Sequence, residues 1–179
     1  MMYLQDDLAI QNRKGGFGMG TYGGQAIEAA EANQIRLVEI PPDEMNQIRQ
    51  RVMEKFVAPE GRNSRFFWEY MLPPRVSVLN EEGWRWMGEF VGKSEVILFF
   101  EESREEYGFR LFSGPDLVKI LGEMTGGEIY LTDPKISYLL VHNHHDHLLS
   151  SGEAVSEWLS KYKTSEYDLL TRYREEGKI

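Results

Sequence analysis

Two apolar runs joined by a short acidic stretch constrain this chain more than any other feature. Val96 to Phe100 is continuously apolar, Glu101-Glu102-Ser103-Arg104-Glu105-Glu106 follows, and Tyr107 to Phe112 returns. A connection that short joins antiparallel strands, because a parallel pair needs a crossover of about a dozen residues or more. Glu128 to Leu131 and Ser137 to Val141 repeat the arrangement around Asp133-Pro134-Lys135, a turn by composition. The expected sheet is therefore mostly antiparallel. Val96 to Phe100 is its central strand, since an unbroken apolar run suits a strand covered on both faces.

Helical signals flank and interrupt these strands, which makes the class α+β with a helical N-terminal part and C-terminal helices. Gln25 to Asn33 is rich in alanine and glutamate, and Ile35 to Ile40 alternates like a short strand. Pro41-Pro42 opens a helix with Asp43 and Glu44 in its first turn and Met45, Ile48, Val52 and Phe56 on one face. Asn80 is placed to cap a helix carrying Trp84, Met87 and Phe90. Ser113-Gly114-Pro115-Asp116 reads as a cap for Leu117, Ile120, Leu121 and Met124, with Gly126-Gly127 as the stop. Ser150-Ser151-Gly152-Glu153 reads as another cap, before Val155, Trp158, Leu159 and Tyr162. A last polar helix is expected from Ser165. Glycine is dense from Gly15 to Gly24 and resists ordering. Residues 1–24 are thus expected to form a flexible glycine-rich arm before a single α+β domain over residues 25–179.

Composition narrows the function. With 179 residues and 41% hydrophobic content the chain can bury a core. A formal net charge of -9 disfavours nucleic acid and anionic membrane surfaces, and suits a basic protein partner. No cysteine is present, so disulfides and thiolate chemistry are excluded. Neither a signal peptide nor a membrane span is legible, and a cytoplasmic protein is expected.

All four histidines lie in His142-Asn143-His144-His145-Asp146-His147. Imidazole and carboxylate together are ordinary ligands for a divalent transition metal, zinc foremost. The run resembles the H-x-H-x-D-H loop of metallo-β-lactamase-type hydrolases, which would make His142, His144, Asp146 and His147 the ligands of a water-activating ion. That family takes further histidines from downstream, and none follows His147 here. The other reading is a polar turn after a strand, with Asn143 and Asp146 bonding the backbone. Gly18-Met19-Gly20-Thr21-Tyr22-Gly23 spells a dinucleotide fingerprint, but no strand can run into its first glycine, so no cofactor is expected. Trp84 and Trp86 are candidate anchors for a partner. Glu101, Glu102, Glu105 and Glu106 are expected on a solvated hairpin loop, where they would form an acidic face.

The strand Val96 to Phe100, the strand pair Gly127 to Asp133 and Tyr138 to Val141, and the helix with Trp158 and Leu159 resemble the later part of the SMI1/KNR4 superfamily. The resemblance covers roughly residues 80–162. It implies recognition rather than catalysis, since bacterial members are commonly immunity proteins that neutralise toxins by binding them. The expected function is therefore a cytosolic protein-binding module acting by occlusion. A metal-dependent hydrolase using the histidine run is the alternative.

Overall fold

The computed structural model of the protein describes residues 21–163. The first helix, α1 (Tyr22–Ala32), is capped by the Thr21 hydroxyl, which accepts from the Gly24 amide at 3.0 Å. Strand β1 (Val38–Ile40) leads into α2 (Pro42–Phe56), with proline in its first turn and Met45, Ile48, Arg49, Val52 and Phe56 buried. Two 3₁₀ turns, Pro59–Gly61 and Phe67–Tyr70, precede β2 (Arg75–Leu79). Then come α3 (Gly83–Val91), β3 (Val96–Phe99), β4 (Gly108–Leu111), α4 (Gly114–Glu123), β5 (Ile129–Thr132), β6 (Leu139–His142) and β7 (His147–Ser151). A last described helix, α5, begins at residue 153 and is followed to residue 163.

The seven strands form one sheet of order β1-β4-β3-β5-β6-β7-β2, and every pairing is antiparallel. The α+β class read from the short connections is therefore the observed one, with β3 inside the sheet. Side chains alternate along each strand, so the sheet feeds two cores. Val96 and Leu98 of β3, Leu131 of β5 and Leu140 of β6 pack with α1, α3, α4 and α5. Ile97 and Phe99 of β3, Tyr130 of β5, and Leu139 and Val141 of β6 pack with α2 and the 3₁₀ segment around Phe67 and Trp68. Because both faces are covered, β3 is apolar throughout, and β5 and β6 carry polar residues only at their ends, Thr132 and His142. Burying each such large side chain stabilises the fold by about 1.5–3 kcal/mol.

α3 and α4 touch through glycine. A Cβ on Gly114 would lie 1.9 Å from the Gly88 carbonyl oxygen, and one on Gly88 would lie 2.4 Å from Val118 Cγ2. The Gly114 amide instead donates to Gly92 O at 2.7 Å across this contact. Only residues without a side chain allow that approach.

Two expectations need correction. Ser150 and Ser151 do not cap a helix. They end β7, where Ser151 Oγ donates to Leu72 O at 2.6 Å and Ser150 Oγ lies 3.0 Å from Ser156 Oγ. The helix opens one residue later, with Gly152 O accepting from the Ser156 amide at 3.1 Å. The expected arm also ends early, because Tyr22, Gly23 and Gly24 form the first turn of α1. The rest of that arm, and the helix expected from Ser165, lie outside the described residues. Among the described residues no helix is long and apolar enough to cross a membrane.

Candidate functional site

The histidine run is the turn of the β6–β7 hairpin. The Asn143 amide donates to His147 O at 3.0 Å, and the Asp146 amide donates to Asn143 O at 3.1 Å. Asp146 takes the left-handed conformation (φ 60) that closes such a turn into its returning strand, a conformation aspartate tolerates better than most residues. The buried Asn143 carboxamide accepts from the amides of His145 at 3.1 Å and His147 at 3.0 Å. The turn is thus built by asparagine and aspartate, and the imidazoles are carried on it.

Those imidazoles diverge. His142 is buried at the start of α3, with Nε2 3.3 Å from Asn80 O. A carbonyl only accepts, so Nε2 carries the proton. Burial holds the His142 pKa below the usual imidazole range. His147 Nδ1 lies 3.0 Å from Ser77 Oγ, and its pKa is also lowered, first by burial and then by His145. His144 turns towards the α2 side, where Nδ1 lies 2.7 Å from Glu128 Oε1. His145 lies against it with ring centres 3.9 Å apart. Continuation of β6 through residue 144 would place His142 and His144 on one face. The strand instead ends at His142, and the turn separates them. Among the described residues, no group of three or more histidines, aspartates or glutamates is placed to hold a metal ion.

What gathers at this end of the sheet is a carboxylate network. Glu128 is buried, and its Oε1 accepts from Trp68 Nε1 at 2.9 Å as well as from His144. Its Oε2 accepts from the Tyr130 hydroxyl. Burial first, and then the Glu128 carboxylate, push the Tyr130 pKa far up, so the phenol remains a donor. Phe66 and Trp68 pack on His144 with ring centres 5.4 and 6.1 Å away. Glu128 thereby ties the 3₁₀ segment, β5 and the histidine hairpin together. Sequence reasoning missed Glu128. Its only local signal was a carboxylate sharing a strand face with Tyr130.

The acidic stretch is held from below. Arg49 is 6% exposed and donates to the carbonyls of Glu105 at 2.7 Å, Glu106 at 2.9 Å and Phe100 at 3.5 Å. Its Nε is buried without a partner among the described residues, and burial lowers its pKa against the pull of Glu102, Glu105 and Glu106. Arg49 is the second residue the sequence reading missed. The signal was a charge on the apolar stripe of α2, four residues after Met45 and three before Val52. Glu105 does not belong to a solvated face. It is 6% exposed, and its carboxylate accepts from the Gly23 amide at 2.9 Å and the Tyr107 amide at 3.2 Å. A carboxylate at the N-terminus of α1 satisfies a free amide and complements the helix dipole. At the last glycine of the Gly18–Gly23 pattern, a side chain of the chain itself therefore sits where a phosphate would bind. Gly18 to Gly20 lie outside the described residues. Glu102 and Glu106 are exposed, and Glu101 is half-buried against Arg65, 2.9 Å away.

The tryptophans divide their surfaces. Trp84 is half-buried beside Gly122, with the Arg85 guanidinium 4.5 Å above its ring. Trp86 stacks on Tyr162 with centres 4.1 Å apart. A cleft of about 600 Å³ lies at the opposite end of the sheet, lined by Phe56, Phe90, Tyr138, Lys55, Asp133 and Glu153 among others. No histidine borders it.

The class defined by these features is an α+β protein whose antiparallel sheet is covered on both faces, with a buried glutamate securing its histidine hairpin and a buried arginine securing its acidic loop. The chain belongs to DUF6756, a family of unknown function, which it matches over residues 25–163. No curated protein and no solved structure matches it.

Proposed function

We propose that this chain is a protein-binding module of the immunity type, acting in the cytoplasm to neutralise a basic partner by occlusion. The observation that carries this reading is the Arg49 clamp. Three carbonyls of loop 100–106 bond to one buried guanidinium, so Glu102 and Glu106 stand on a backbone already fixed. A pre-ordered acidic loop binds with less ordering cost and steers a basic partner during encounter. The formal net charge of -9 points the same way. Half-buried Trp84 offers an aromatic anchor of the kind that dominates binding energy. The resemblance of the second half to the SMI1/KNR4 superfamily also supports binding. The carboxylates at the two clamps, Glu105 and Glu128, serve internal bonds, which suits recognition better than proton transfer.

The test is to co-express the chain with the products of its neighbouring genes, scoring relief of growth arrest and co-purification. A complex is expected whose association slows at least tenfold in a Glu102→Lys/Glu106→Lys variant at low salt, with the thermal midpoint unchanged. Neighbouring products that neither arrest growth nor bind would overturn the reading.

A further inference from the structure

The two sheet edges are treated differently by the sequence. β1 spans three residues and runs into Pro41-Pro42, an ordinary device against further pairing. β2 also follows a proline pair, Pro73-Pro74, but it spans five residues and contains no proline, lysine or bulge within them. Its register shows which way its backbone points. The Gly152 amide donates to Pro74 O at 3.1 Å, and the Asn80 amide donates to Asp146 O at 2.8 Å. These bonds bracket the pairs Val76↔Ser150 and Val78↔Leu148. Antiparallel ladders alternate, so Val76 and Val78 bond inwards to β7. The amides and carbonyls of Arg75, Ser77 and Leu79 therefore point outwards, and β2 pairs with β7 alone among the described residues. Leu79 is 43% exposed, one of two large hydrophobic residues so exposed among the described residues.

We propose that β2 is the docking edge for a second copy of this chain, whose own β2 pairs with it antiparallel about a two-fold axis at Ser77. This proposal is independent of the basic-partner reading. Charge selects the occupant. The strand begins at exposed Arg75 and is followed by exposed Glu81 and Glu82. Antiparallel self-pairing brings Arg75 of each copy towards the second copy's Glu81, and a parallel arrangement would set like charges together. It also places Val76 opposite the second copy's Val78, a β-branched cross-strand pair that stabilises a ladder. All three outward-facing residues of each strand then find partners.

The chain has no cysteine, so single-cysteine variants report the register directly. Sedimentation equilibrium of the unmodified chain is expected to show a concentration-dependent dimer. Ser77→Cys should cross-link on mild oxidation, because residues facing each other across the axis lie about 5.5 Å apart. Leu79→Cys should not, because the two copies of residue 79 lie four residues apart along the ladder. Arg75→Glu should weaken the dimer at least tenfold, and Arg75→Glu/Glu81→Arg should restore it. A chain that stays monomeric up to about 1 mM, a weak-binding limit near -4 kcal/mol, overturns the proposal. So does a dimer in which Leu79→Cys cross-links faster than Ser77→Cys, or one indifferent to Arg75→Glu. Either result would assign the edge to another occupant or to none.

Discussion

Glu128 makes the sharpest residue-scale prediction. Its carboxylate receives three donors, Trp68, His144 and Tyr130, in a buried setting. Glu128→Gln removes the charge and turns one oxygen into a donor facing donors. A loss of about 1–3 kcal/mol is expected in urea unfolding, the range for a buried polar group left unsatisfied. His142 sets a pH dependence. Burial holds its folded pKa below the ordinary 6.5. Between those two values the unfolded chain binds a proton that the folded chain refuses, so unfolding takes up protons and acid favours it. Stability should therefore fall as the pH drops below about 6.5, and His142→Gln should flatten that slope. His147 adds in the same direction. A midpoint measured against pH for both proteins checks the sign.

At the scale of elements, two devices govern how helices meet the sheet and one another. The α3–α4 contact rests on Gly88 and Gly114, and a methyl added at Gly114 meets the Gly88 backbone rather than a movable side chain. Gly114→Ala should cost about 3 kcal/mol, the upper end of ordinary overpacking, and lower the thermal midpoint accordingly. Arg49 joins α2 to loop 100–106. Arg49→Leu keeps an apolar helix face but abandons three carbonyls, at a cost of at least about 3 kcal/mol. Amide exchange should accelerate across residues 100–106 more than in β5 or β6, which distinguishes loss of the clamp from general loosening.

For the whole molecule, surface charge is the controlling quantity. Twenty-nine acidic residues against twenty basic ones leave the folded chain repelling itself. Raising ionic strength from ~0.01 to ~0.15 M shortens the Debye length from about 30 to about 8 Å. A higher thermal midpoint should result, while association with a basic partner slows.

Legibility followed the range of the interactions. α2 was readable because Pro42, Asp43, Glu44 and the stripe from Met45 to Phe56 carry its start and its buried face within fifteen residues. The antiparallel class was readable because the loop after Phe100 is too short for anything else. β7 was not, because Ser150 and Ser151 look like a cap until β2 and Leu72, more than 70 residues earlier, arrive to pair the strand and take the Ser151 hydroxyl. Glu105 looked like one of four surface acids because the amide it serves lies 82 residues earlier. The histidine run had a dense local signal with two readings, and only the end of β6 at His142 sent its rings apart. The sequence by itself thus determined most helices and the antiparallel pairing of the central strands, which depend on periodicity and connection length. The tertiary structure decided which polar groups are buried and what satisfies them, because desolvation is set by neighbours that the chain brings together only when it folds.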